Sequence, residues 1–176
     1  KKSIVKQREV TSDTKSFSSA LRHVLRQDPD VIFVGEMRDL ETFSTAITMS
    51  ETGHLVISTV QSIGACETID RIVNIFPPSQ QDQIRMQLSL NIQGIISQML
   101  LPLGENTNQM VPAIEVFNPT FALRALVRKG EINKLKGAME TSSREGNITM
   151  KMAIENLHRE KKITEATMKG ALAYLR

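Results

Sequence analysis

The sequence predicts an α/β core followed by an all-helical tail, and three observations carry that expectation. The unbroken apolar run Val31–Val34 and the segment Leu55–Val60 read as strands buried on both faces, as parallel sheets require. A helical pattern over Leu40–Glu51 lies between them. This alternation predicts a right-handed crossover and a site beyond the carboxyl ends of the strands. After Pro119 the strand signals stop and only helical spacings follow.

In chain order, Ser16–Arg26 reads as a helix capped by Ser16 or Thr14, with Phe17, Ala20, Leu21, Val24 and Leu25 along one face. Asp28-Pro29 ends it, because the residue before a proline is driven out of the helical region. The first strand follows over Asp30–Val34. Next comes the Leu40–Glu51 helix, with Gly53 as the residue that closes it. Beyond the second strand, helices are expected over Ala65–Asn74 and Gln80–Asn91, punctuated by Pro77-Pro78. Ile95–Leu101 and Val111–Phe117 read as a hairpin around the polar turn Gly104–Gln109. Phe121–Arg128, Ile132–Thr141, Thr149–Arg159 and Thr164–Leu175 carry helical spacing, broken at Gly130, Gly146 and Lys161-Lys162. A boundary near Asn118 divides the expectation into 1–118 and 119–176.

Composition narrows the class. The 176 residues are 40% hydrophobic and 23% charged, enough for a globular domain with a real core and unlike a disordered chain. Formal net charge is +3, and the basic residues are spread rather than blocked, so nothing demands nucleic acid. The single cysteine, Cys66, forms no internal disulfide and fits a reducing compartment. The longest apolar stretch, Gly94–Leu103, is too short and too interrupted to span a bilayer. No signal peptide or lipidation motif opens the chain, and its start at Lys1 rather than Met leads us to expect a fragment. Secreted, membrane-spanning and fibrous classes are set aside.

The run ending Val34-Gly35-Glu36 is the most informative feature. A strand that delivers a carboxylate at its carboxyl end has the Walker B arrangement of P-loop NTPases, where the acid orients the water attacking a γ-phosphate. The Asp usual before that acid is Gly35 here. Taken alone, the run is equally an ordinary acidic strand end. Gly35 lets backbone approach a ligand, and Arg38 either pairs with Asp39 or faces a phosphate. Thr52-Gly53-His54 precedes the second strand, and Ser58, Thr59, Gln61 and Ser62 lie at its far end, where hydroxyl and amide groups suit a γ-phosphate sensor. Taken singly, His54 is a helix-end residue and Gln61 a solvated loop residue. His23 and His158 fall on helices. With one cysteine and no close His pair, no zinc-type spacing is present, and no Ser-His-Asp arrangement is defensible.

These residues carry a resemblance. Arg8-Glu9-Val10, Asp13-Thr14, Ser16-Phe17, Ala20-Leu21-Arg22 and the run Leu25 to Asp39 resemble the Walker B region of the secretion ATPase superfamily. Thr52-Gly53-His54-Leu55-Val56-Ile57-Ser58-Thr59 resembles its His box, and Ile69-Asp70-Arg71 with Phe76-Pro77 continues the pattern. Within that superfamily, Ala122 to Gly130 resembles the retraction motif AIRNLIREGK of the PilT-like type IV pilus retraction ATPases.

The resemblance implies the C-terminal portion of a RecA-like P-loop NTPase core, lacking the phosphate-loop strand, followed by the helical tail. It implies a cytoplasmic homohexamer, peripheral at the bacterial inner membrane, that binds an inner-membrane platform protein. Such a motor uses ATP and Mg to power pilus retraction and twitching motility. Glu36 matches the catalytic glutamate and His54 the first His-box histidine. Gly35, Arg38 and Gln61 join them around the γ-phosphate. Arg124, Leu126, Val127 and Arg128 fall in the retraction motif. No direct metal ligand is implied in this chain, and Arg8, Arg22 and Arg26 are candidates for an arginine finger.

Two departures stand out. Gln61 replaces the second His-box histidine, so that position hydrogen-bonds without titrating near neutral pH. No GxxxxGK[ST] occurs, so this chain alone is expected to hydrolyse no ATP, and ATP and Mg are held mainly by residues outside it. The Val31–Val34 strand then exposes an edge or needs another partner. Two other classes remain. One is a non-catalytic module that docks subunits or the platform protein; the other is a helical nucleic-acid binder resting only on the basic tail.

Overall fold

The computed structural model describes residues 3–104 and 108–175, in two compact units, Lys1–Val60 and Gln61–Arg176. The first unit begins with α1 (Phe17–Val24), capped by Ser16, whose hydroxyl oxygen accepts from the Ser19 amide at 3.1 Å. A short 3₁₀ turn, Leu25–Gln27, follows, and Asp28 leaves it in the left-handed region at φ 49°, a conformation Asp tolerates. β1 (Val31–Val34), α2 (Leu40–Glu51) and β2 (Leu55–Ser58) complete the unit. Asp39 caps α2 by accepting from the Thr42 amide at 2.9 Å, and Gly53 closes it at φ 94°, as its sequence position predicts.

β1 and β2 pair in parallel, Val31 opposite Leu55 and Val34 opposite Ser58. The strands are not buried on both faces, which corrects the expectation. Ile32 and Val34 pack with Leu21, Met49, Val24, Met37 and Val56, while Val31, Phe33, Leu55 and Ile57 on the other face are exposed. The helices of this unit cover one side only. β2 also stops at Ser58 rather than Val60, because the chain leaves the strand path after Val34 and only the Met37 amide still meets it, at the Thr59 carbonyl. Among the described residues this sheet has two strands, so β1 keeps one edge unpaired. The apolar face expected on α1 is likewise only partly used: Leu21 is buried, whereas Phe17 and Leu25 are exposed.

The second unit contains α3 (Ala65–Asn74), α4 (Pro78–Asn91), the antiparallel hairpin β3 (Ile95–Pro102) and β4 (Met110–Phe117), then α5 (Phe121–Lys129), α6 (Ile132–Thr141), α7 (Met150–Arg159) and α8 (Glu165–Tyr174). α4 starts two residues earlier than expected, since Pro78 suits a first helical position whose N–H has no partner anyway. Of the expected polar turn, residues 105–107 lie outside the described residues. The division after Val60 precedes the change of texture near Asn118 because the hairpin packs on the helices that follow it. Leu101 and Ala113 share a core with Met150, Ile154, Leu157 and Ile163. Asn147, wholly buried, extends β4 by side chain: its Oδ1 accepts from the Asn118 amide at 2.8 Å and its Nδ2 donates to the Asn118 carbonyl at 3.0 Å. No described helix is long and apolar enough to cross a membrane.

Candidate functional site

Parallel pairing puts the carboxyl ends of β1 and β2 side by side, and the chain after Val34 turns outward through Gly35, Glu36 and Met37. Thr59 grips that turn from both flanks of Glu36. Its hydroxyl donates to the Gly35 carbonyl, and its own carbonyl accepts from the Met37 amide at 3.3 Å. One residue earlier, the Ser58 hydroxyl donates to the Val34 carbonyl at 2.8 Å. The backbone that carries Glu36 is thus fixed by β2 before any side chain acts.

Glu36 itself is half-buried, with 26% of its side chain exposed. Its Oε2 accepts from Arg38 Nη2 at 2.5 Å, and the carboxylate holds that guanidinium more firmly protonated. Arg38 therefore pairs with Glu36, not with Asp39, which is engaged in capping α2. Phe17, Glu36, Arg38 and Asp39 line an open depression of about 310 Å³. A Cβ at Gly35 would meet no atom within 4 Å, so packing within this unit leaves space there for a ligand. A half-buried carboxylate on a braced turn, beside a cation, can orient a water and accept its proton. Among the described residues no group of three or more His, Cys, Asp or Glu side chains is arranged to hold a metal ion.

The other expected site residues lie elsewhere. His54 precedes β2, so it stands at the opposite end of the sheet from Glu36, with the whole length of the strand pair between them. Its Nδ1 lies 3.2 Å from the Met49 carbonyl and 3.1 Å from Thr52 Oγ1. A carbonyl only accepts, so Nδ1 carries a proton there. Gln61 opens the second unit, where its carbonyl accepts from Arg71 Nη1. Arg22, one of the finger candidates, is paired with Glu41 at 2.6 Å.

The retraction-like segment forms α5. Val127 is fully buried, Leu126 partly so, and Arg128 is exposed. Arg124 Nη1 donates to the Ser89 and Leu90 carbonyls at 3.0 and 3.1 Å, satisfying the carboxyl end of α4. Sequence reasoning did not single out Thr59 as the brace of Glu36 or Phe17 as a wall of the depression. Asp39, followed three residues later by Thr42, did carry a readable cap signal.

The family of type II/IV secretion system proteins matches residues 3–171. The chain is 41% identical over 160 residues to the twitching motility protein of Neisseria gonorrhoeae, covering 91% of this chain and 42% of that protein. It is 43% identical over 157 residues to the type IV pilus retraction ATPase PilT of Pseudomonas aeruginosa, covering 89% and 45%. A crystal structure of the pilus retraction motor PilT with bound ADP superposes with a TM-score of 0.88 at 48% identity, covering 97% of this chain and 48% of that one. The chain therefore spans less than half the length of the relatives it matches.

Proposed function

This chain belongs to the type II/IV secretion system protein family and is PilT-like, and from that premise we propose that it is the C-terminal part of an ATP-hydrolysing motor for type IV pilus retraction and twitching motility. In this reading the complete protein works as a cytoplasmic homohexamer, peripheral at the inner membrane, against an inner-membrane platform protein. Residues 1–118 complete the nucleotide-binding core, and 119–176 form a tail that governs retraction rather than nucleotide chemistry. ATP and Mg supply the phosphoryl group and its charge neutralisation, and are held mainly by residues outside this chain.

The observation that carries the reading is the Glu36 carboxylate, half-buried in its depression on a turn braced from both sides by Thr59. Glu36 orients the attacking water and takes up its proton; Arg38 holds the carboxylate and is released to meet the phosphate. Gly35 leaves the ligand room. Gln61 reports the γ-phosphate by hydrogen bonding, and His54 acts from the far end of the sheet through its Nε2. Arg124 and Val127 hold α5 in place, with Leu126 and Arg128 beside them.

Glu36→Gln in the complete protein keeps nucleotide binding and lowers turnover by at least about 100-fold, the scale of a lost general base. The isolated 176-residue chain hydrolyses no ATP. Undiminished turnover in Glu36→Gln, measured by phosphate release, removes Glu36 from this role. The exposed face formed by Val31, Phe33, Leu55 and Ile57 favours a second reading, a docking module without chemistry of its own. That reading expects turnover indifferent to Glu36→Gln.

A further inference from the structure

The loop that follows β2 is nailed down at each step within the second unit. Arg71 takes the Gln61 carbonyl, Thr68 Oγ1 meets Ser62 Oγ at 2.6 Å, and the same hydroxyl bonds the Gly64 carbonyl at 2.7 Å. At the end of the loop, α3 has no capping side chain of its own, since its N-cap is Gly64. Its first amide, on Ala65, donates instead to Glu115 Oε1 at 2.6 Å. Glu115 comes from β4, where it lies on the buried face between Ala113 and Phe117. Its second oxygen, Oε2, accepts from the Met150 amide at 2.9 Å, the first amide of α7. One buried carboxylate thus serves the starts of two helices, one joined to the Gln61 loop and the other in the helical tail. Gly64 is small for the same reason: a Cβ there would stand 3.0 Å from Glu115 Oε1 and 2.8 Å from Glu67 Oε2.

We propose that Glu115 is a positioning residue that anchors the Gln61 loop and the helical tail to a single point, so that movement of either is felt by the other. The mechanism is geometric. Each oxygen is held by a helix-start amide in a site largely closed to water, so neither bond can lengthen and be replaced by solvent at no cost. A shift of α7 draws Oε2 with it and turns the carboxylate plane, which moves the acceptor that seats α3. The functional meaning rests on the reading of Gln61 as a γ-phosphate sensor; the mechanical link does not.

Hydrogen exchange on the complete protein tests both. Glu115→Gln gives one amide start a carboxamide N–H in place of an acceptor, so Ala65 and Met150 both exchange about tenfold faster, as one coupled opening. Gly64→Ala keeps the carboxylate and pushes it from the loop side. Met150 is expected to loosen there too, although the substitution lies on another element. Glu67→Ala, which removes only the exposed carboxylate near Gly64, leaves Met150 unchanged. Loosening confined to residues 61–68 in Gly64→Ala overturns the proposal. In the wild type, a non-hydrolysable ATP analogue slows exchange at the loop and at Met150 together. Protection of the loop without Met150 overturns the link. If Gly64→Ala loosens both ends but the analogue protects neither, the link stands and the sensor reading of Gln61 falls. In turnover assays Glu115→Gln lowers kcat and leaves the KM for ATP unchanged, whereas simple loss of folded protein lowers the apparent enzyme concentration and is recovered by normalising to it.

Discussion

Phe33 and Phe117 are both strand residues, yet Phe33 is 67% exposed and Phe117 is fully buried. The contrast runs through the molecule. The first unit folds its helices over one side of a two-strand sheet and leaves Val31, Phe33, Leu55 and Ile57 to solvent. The second has a filled interior, with Ile69, Phe117, Leu123, Val127, Leu135 and Ile154 all without exposure, and leaves Ile96 and Phe121 at its surface. The first unit carries the Glu36 depression, whereas the second carries the tail and its buried polar anchors at Glu115 and Asn147. Exposed apolar area contributes little to stability where it stands, so the first unit can hold chemistry at its sheet edge without that edge being part of a packed core. Substitution should therefore separate enclosed from open positions: a large loss of stability at Phe117 and little at Phe33.

The largest difference is expected from the two phenylalanines themselves. Phe117→Ala removes a ring from a filled interior and lowers unfolding free energy by about 3–5 kcal/mol. Phe33→Ala in the same chain changes it by less than about 0.5 kcal/mol, the scale of ordinary surface substitutions. Denaturant melts of the 176-residue chain, followed by far-ultraviolet dichroism, read both. Equal losses at the two sites would erase the distinction between the units. A large loss at Phe33 that appears only in the complete protein would show that further chain covers this face.

A smaller effect is expected at the brace of Glu36. Thr59→Val keeps shape and the carbonyl that accepts from Met37, and it removes only the hydroxyl bond to Gly35. Turnover of the complete protein should fall about five- to tenfold, the rate equivalent of one lost hydrogen bond worth roughly 1 kcal/mol, with the melting temperature nearly unmoved. A Thr59→Val enzyme at full activity would mean that the turn needs no hydroxyl. The matching Ser58→Ala change, one residue farther from Glu36, should cost less.

Much of this was legible in the sequence, and the parts that were not share a physical cause. The helices over 40–51 and 132–141 can be read to the residue because their ends carry local chemistry: Asp39 before α2, Gly53 after it, Gly130 before α6. The place of Glu36 just beyond β1 was legible because a bare apolar run followed by an acid is itself local. Burial was not. Val31-Ile32-Phe33-Val34 is apolar at every position, and such a run carries no alternation to say that one face stays open. Register was not legible either. The grip of Thr59 on Gly35 and Met37 depends on Val34 standing opposite Ser58, and the same register sends His54 to the far end. Glu115 is the sharpest case. Within Ala-Ile-Glu-Val-Phe it looks like the outward polar residue of an amphipathic strand, yet its face is the buried one, because Ala113 and Phe117 point the same way.

The smallest effect concerns Cys66, and it offers a probe of the second unit alone. As the second residue of α3, its thiol sits where a helix dipole ordinarily favours the thiolate. Burial overrides that, and the negative charges of Glu67, Glu115 and Asp70 add to it, with Lys136 opposing, so the thiol is pushed up to about 11 from 9.0. The folded state then holds its proton where the unfolded chain releases it. This contribution to stability is complete below pH 9 and is lost as pH rises from there through the folded value. At pH 8, native Cys66 carries roughly 100-fold less thiolate than the unfolded chain, and iodoacetamide labels it slower by a similar factor. Labelling therefore follows opening of the second unit. Phe117→Ala should speed it in step with lost stability, while Phe33→Ala and Thr59→Val leave it slow. Fast labelling in Phe33→Ala would show the two units opening together and remove the independence on which the comparison stands.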